Sequence, residues 1–165
     1  MDSTERLALP LLAPGQAQKE LFHNEALQRL DIAVAASVEG PPGDDPPPSP
    51  EPGTAYLVGD APSGAWSGYA HHLAGFGIAG WRLIAPRIGM SVFVKSSQTV
   101  AVYSGADWEI GKVRAANVII DGVQVVGPRA GSIPEPSGGS TIDLEVRIAV
   151  AGILVALRQH GLISP

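Results

Sequence analysis

The chain has 165 residues, enough for one ordinary core or for a small core with accessory arms. A net charge of −5 with no Lys/Arg cluster excludes a phosphate-gripping nucleic-acid surface and a polybasic membrane patch. The absence of cysteine excludes disulfides and thiolate metal sites, while 20 Gly and 15 Pro demand many turns or an extended linker.

The first six residues, Met1-Asp-Ser-Thr-Glu-Arg6, are acidic and polar and do not form a secretion signal, so synthesis in a cytoplasm is expected. Leu7-Ala-Leu-Pro-Leu-Leu-Ala-Pro14 is apolar but broken by two prolines, which forbids a helix and favours an extended arm. Leu7, Leu9, Leu11 and Leu12 need a surface to lie on, either the chain's own body or a neighbouring subunit. Gly15 to Gly40 reads as helical. Asn24 is a plausible N-cap, Glu25 suits the helix dipole, and Leu27, Leu30, Val34 and Val38 form one apolar stripe. Gln16-Ala-Gln-Lys-Glu-Leu-Phe22 reads as a separate turn of helix ending near His23. Residues 1–40 are thus an N-terminal arm and helix. Residues 41–52 hold seven prolines and read as a stiff spacer, reaching roughly 35 Å at ~3.1 Å per residue.

Residues 53–126 are the predicted β module. The stretch from Gly53 to Gly111 holds eight of the nine aromatic residues, among short apolar runs and glycine turns. Thr54–Val58 and Trp81–Ala85 read as strands, and Ser91–Lys95 with Thr99–Tyr103 as a hairpin around Ser96-Ser97-Gln98. Asp121-Gly122 between Asn117–Ile120 and Val123–Val126 is a strong hairpin signal, because both turn positions want positive φ. The expected fold is mainly β with flanking helices: five to seven antiparallel strands in a small barrel or sandwich-like module. Residues 127–139 form a Gly/Pro linker, and residues 140–165 a helix for assembly. Ser140 should cap it, with Asp143 as partner; Ile142, Val146, Ala149, Ile153 and Leu157 line one face; and Gly161 stops it. Ile148–Leu157 has no polar side chain, is too short to cross a bilayer, and sits between Arg147 and Arg158. Leaving about four such side chains in water forfeits roughly 6–12 kcal/mol, so a partner surface is expected.

The chemistry-bearing patterns are weak. Gly75-Phe-Gly-Ile-Ala-Gly80 matches a dinucleotide fingerprint but is followed by a strand-like run rather than a helix. His71-His72 could suggest a metal, but adjacent histidines on a strand point to opposite faces and cannot easily share one ion. No Asp or Glu sits at ligand spacing nearby, so surface or turn histidines are expected. Asp107 and Glu109 flank Trp108 like a solvated strand edge, and no nucleophile elbow is present. No catalytic, cofactor or metal residue is assigned, and a non-enzymatic role is expected. Trp81 and Trp108 read as core; Trp66 and Tyr69 could be core or could stack on a sugar ring.

Several segments resemble one family. Leu7-Ala-Leu-Pro-Leu-Leu-Ala-Pro-Gly-Gln-Ala-Gln-Lys19, His23-Asn-Glu-Ala-Leu-Gln-Arg-Leu-Asp31, Thr54-Ala-Tyr-Leu-Val-Gly59, Gly64-Ala-Trp-Ser-Gly68, Gly80-Trp-Arg-Leu-Ile-Ala-Pro86 and Val102-Tyr-Ser-Gly-Ala-Asp-Trp108 are similar to a domain of unassigned function found in prophages and gene transfer agents. Leu157-Arg-Gln-His-Gly-Leu-Ile163 resembles the end of related fibre-associated proteins. The resemblance implies a virion component, most like the base of a gene-transfer-agent head spike, located on the particle. Its implied partners are copies of itself in three- or five-fold symmetry, capsid or other virion proteins, and a distal receptor-binding fibre. The candidate assembly residues are Leu7, Leu9, Leu11, Leu27, Leu30, Val34, Ile148, Ile153, Leu154 and Leu157. The alternative is a carbohydrate-binding module that recognises capsule or surface glycan through Trp66 and Tyr69.

Overall fold

The computed structural model describes residues 2–13, 15, 19–138, 140 and 143–165. The expectations for Pro14, Gln16-Ala17-Gln18 and Ile142 lie outside that set. The chain divides into two compact units, Met1–Val113 and Arg114–Pro165. It is mainly β, with three sheets and one helix toward each end, and among the described residues no sheet closes into a barrel. Among the described residues no helix is long and apolar enough to cross a membrane.

The first unit begins with α1 (Lys19–Ala33) and a two-residue strand, β1 (Ser37–Val38). Three strands follow, β2 (Ala55–Leu57), β3 (Leu73–Gly77) and β4 (Gly80–Ile84), then β5 (Ser91–Val94), β6 (Thr99–Tyr103) and β7 (Trp108–Ile110). One sheet has the order β1-β5-β6-β7, with β1 parallel to β5; the other is the antiparallel run β2-β3-β4. The period of two decides what each strand buries. Ala55, Leu57 and Leu73 enter a core with Ile32, Val38, Val92, Val94 and Trp108, while Tyr56, Val58 and Ala74 turn the other way, toward Trp66 and Trp81. The G-x-G-x-x-G run is the β3–β4 hairpin. Gly75 has no side chain because Ile32 of α1 lies directly over it, so that an added Cβ would meet Ile32 Cγ1 at 2.5 Å.

Four local expectations change. The helix ends at Ala33 rather than Gly40: Ala35 turns left-handed at φ 47°, and Val38 leaves the stripe to become a core strand residue. Asn24 is inside α1, not its cap. It exchanges hydrogen bonds with the Leu12 backbone at 2.9 and 3.0 Å and so ties the arm down. The arm itself doubles back, with Ser3 bridging Pro10 and Thr4 N–H donating to Leu9 O at 3.0 Å. Its tip is locked by Asp31, only 2% exposed, whose carboxylate accepts from Thr4 Oγ1 (2.7 Å), Arg6 N (3.0 Å) and Leu7 N (2.7 Å). The Arg6 guanidinium closes the end of α1 by donating to the carbonyls of Asp31, Ile32 and Ala35, where helix carbonyls lack partners.

The proline-rich stretch is a strap rather than a spacer. Gly43 pairs with Val58, Gly43 N–H donates to Leu57 O at 3.0 Å, and Asp44 O accepts from Ser63 N–H at 2.9 Å. Proline removes donors but not acceptors, so the few non-proline residues there do the binding.

The second unit starts before residue 127. It holds a hairpin of β8 (Val118–Ile120) and β9 (Val123–Val126), with Asp121 and Gly122 at φ 48° and 78°, as an Asp-Gly turn requires. Helix α2 (Leu144–Gln159) is capped by Asp143, not Ser140: its carboxylate accepts from Val146 N–H at 2.9 Å. Arg158 donates to Ile133 O, and Arg147 to Pro136 O, at 2.9 and 3.1 Å, laying the Gly/Pro segment beside the helix.

Candidate functional site

The first unit brings three ligand-type side chains together from separate turns. Asp60 follows β2, His71 precedes β3, and Asp107 lies in the turn between β6 and β7. His71 Nδ1 is 3.5 Å from Asp60 Oδ1 and 3.8 Å from Asp107 Oδ1, and the ligand atoms of all three lie within 4.8 Å of one another. His71 is therefore not on a strand. It occupies the left-handed region at φ 61°, which histidine tolerates better than most residues. That conformation is held from both sides. Trp108 Nε1–H donates to His71 O at 2.7 Å, and the imidazole lies against the Tyr103 ring at 6.3 Å between centroids.

These groups open onto a cavity of about 330 Å³ lined also by Pro42, Asp44 and Gly59. Gly59 is required there, since a Cβ would meet Gly43 carbonyl carbon at 3.2 Å and crowd the Asp44 carboxylate. That carboxylate accepts from Ala61 N–H at 3.0 Å. Three carboxylates thus ring the cavity, and among the described residues no Lys or Arg lines it. Sequence reasoning missed this cluster because its members are brought together by the strap and by the β6–β7 pairing. No local spacing encodes that.

Of the two sugar-stacking candidates, Trp66 is core. It is 2% exposed, 5.1 Å from the Trp81 ring and 5.9 Å from Tyr56 between centroids, which leaves no face for a pyranose. Tyr69 is 45% exposed and lines a separate cavity of about 380 Å³ with Trp81, Glu25, Arg29 and Arg82. Trp108 is buried, as expected of a core residue, while Trp81 is half-buried.

Among the assembly candidates, Leu9, Leu11, Leu27 and Leu157 are half-buried, and Leu7, Leu30 and Val34 are exposed. On α2, Leu154 is buried at 4%, so the helix is not bare on every side; Ile148 and Ile153 are 64% and 59% exposed.

Residues 23–109, more than half of the chain, match the family described as Protein of unknown function (DUF2793). The match runs from within α1 to β7 and includes every residue of the Asp60–His71–Asp107 cluster. No curated protein matches the chain. Because that match covers more than half of the chain, the chain belongs to the DUF2793 family.

Proposed function

We propose that this protein is a non-enzymatic virion structural subunit, the base of a head spike or fibre on a phage-like particle, built from several copies of itself. The observation that carries the reading is the apolar surface of residues 114–165. Thirteen large hydrophobic side chains are exposed there among the described residues, against two that are buried, Leu154 and Ile163. In β8 and β9 the apolar residues lie on both faces (Val118, Ile119 and Ile120; Val123, Val125 and Val126), and a lone two-stranded hairpin is marginal in water. Each such side chain contributes on the order of 1.5 kcal/mol or more when covered, so association of copies through this unit is strongly favoured. Mass photometry of the purified full-length chain tests this. A discrete oligomer is expected, and Ile148→Asp with Ile153→Asp should release monomers whose first unit stays folded by near-UV circular dichroism. A wild-type chain that remains monomeric at micromolar concentration, with α2 protected from hydrogen exchange, overturns it.

Glycan recognition is the second reading, and the Tyr69–Trp81 cavity favours it. An aromatic wall beside Arg29, Arg82 and Glu25 offers a stacking face and hydrogen-bonding groups for a sugar. A glycan array with Tyr69→Ala as control discriminates: signal lost in the variant supports it, and silence from the wild type removes it.

A further inference from the structure

We infer that Asp60, His71 and Asp107 bind one divalent transition cation of the Zn²⁺ class, which pins the β2–β3 connection to the β6–β7 turn. The first support is spacing. Four-coordinate Zn²⁺ with ligand bonds of roughly 2.0–2.1 Å sets neighbouring donor atoms about 3.3–3.4 Å apart. His71 Nδ1 stands 3.5 and 3.8 Å from the two carboxylate oxygens, close to that figure and too far for good hydrogen bonds. The ring nitrogen faces both acids, while the residue's backbone is fixed separately by Trp108.

The second support is charge. Asp44, Asp60 and Asp107 surround one cavity with no Lys or Arg in its lining among the described residues, so the site has an excess of negative groups that a dication offsets. The donor set chooses the ion: one imidazole with two carboxylates suits Zn²⁺ or a similar first-row cation, whereas Ca²⁺ and Mg²⁺ prefer oxygen alone. Asp60 and Asp107 side chains are 85% and 70% exposed, so the ion keeps an open side for water. This site does not depend on the assembly proposed above, since all three ligands belong to one chain.

Isothermal titration calorimetry on the untagged, chelator-treated chain tests the inference with ZnCl₂, and with CaCl₂ and MgCl₂ in parallel. One Zn²⁺ per chain is expected, bound at least about tenfold more tightly than either alkaline-earth ion, with an upward shift in melting temperature. The near-isosteric Asp60→Asn/Asp107→Asn double variant changes only exposed side chains. It should keep the wild-type circular dichroism and lose at least about tenfold in Zn²⁺ affinity together with the thermal shift. His72→Gln should keep both, because His72 Nδ1 instead sits 2.9 Å from Ala70 O. Absence of Zn²⁺ binding by the wild type, undiminished binding by the double variant, or equal affinity for Ca²⁺ overturns it.

Discussion

Replacing Asp31 by Asn probes the joint that holds the amino-terminal arm. The buried carboxylate accepts three hydrogen bonds, from Thr4 Oγ1 and from the N–H groups of Arg6 and Leu7, and supplies both oxygens to do so. Asparagine keeps one oxygen and turns an NH₂ toward a donor, so at least one bond to a charged acceptor is lost and one donor is left facing another. A hydrogen bond to a charged group contributes about 1.5–3 kcal/mol, and a buried donor left alone costs about 1–3 kcal/mol. The losses overlap because the arm can swing out and hydrate, which places the expected destabilisation at about 2–4 kcal/mol. Urea unfolding followed by tryptophan fluorescence measures it, and hydrogen exchange at Leu7 shows whether the arm has opened. A change below about 0.5 kcal/mol with Leu7 still protected refutes the account of Asp31 as the lock.

Gly75→Ala should destabilise by about 1–3 kcal/mol in the same assay, because the new methyl meets Ile32 Cγ1 and Cγ2 at 2.5 and 2.9 Å; a further Ile32→Val change should recover part of it. Trp66→Ala should cost about 3–5 kcal/mol by thermal unfolding, and a loss under about 1 kcal/mol removes Trp66 from the core. Burial pushes the Glu25 carboxyl up, but hydrogen bonds from Arg29 and Arg82 and their charges outweigh it and hold it below its ordinary 4.5. A depressed folded-state value means the contribution is complete above pH 4.5 and is lost as pH falls through the folded value. Glu25 is partly exposed, so Glu25→Gln should lower the stability measured by urea unfolding at pH 7 by only about 0.5 kcal/mol. The gap between wild type and variant should close on acidification below pH 4.5, and a gap independent of pH refutes the pairing.

Local patterns carried much of the fold. The Ser91–Tyr103 and Asp121-Gly122 hairpins follow from alternation and turn chemistry, which act over a few residues. What lay beyond reach was set by distant partners. Nothing in Pro41–Pro52 announces that Gly43 will pair with Val58, because proline content limits a segment's own shape and not where it docks. Asn24 looked like a cap since its side chain bonds backbone, and it does so with Leu12 rather than with its own helix. The helix stripe over-ran because Val34 and Val38 keep the spacing after Arg6 has already closed the last turn. In the candidate site, His71 and Asp107 were each visible as residues; their meeting depends on where two turns of different sheets come to lie.

The parallel seam between β1 and β5 bears on how the polypeptide comes off the ribosome. Carbonyls of Ala36 and Val38 accept from the N–H groups of Phe93 and Lys95, at 2.8 and 2.9 Å. Until residue 95 emerges, those two carbonyls lack these donors and the edge of β1 stays unfinished. Fragments stopped upstream of that point should precipitate or be degraded, whereas a cut near Val113 keeps both the seam and the whole first unit.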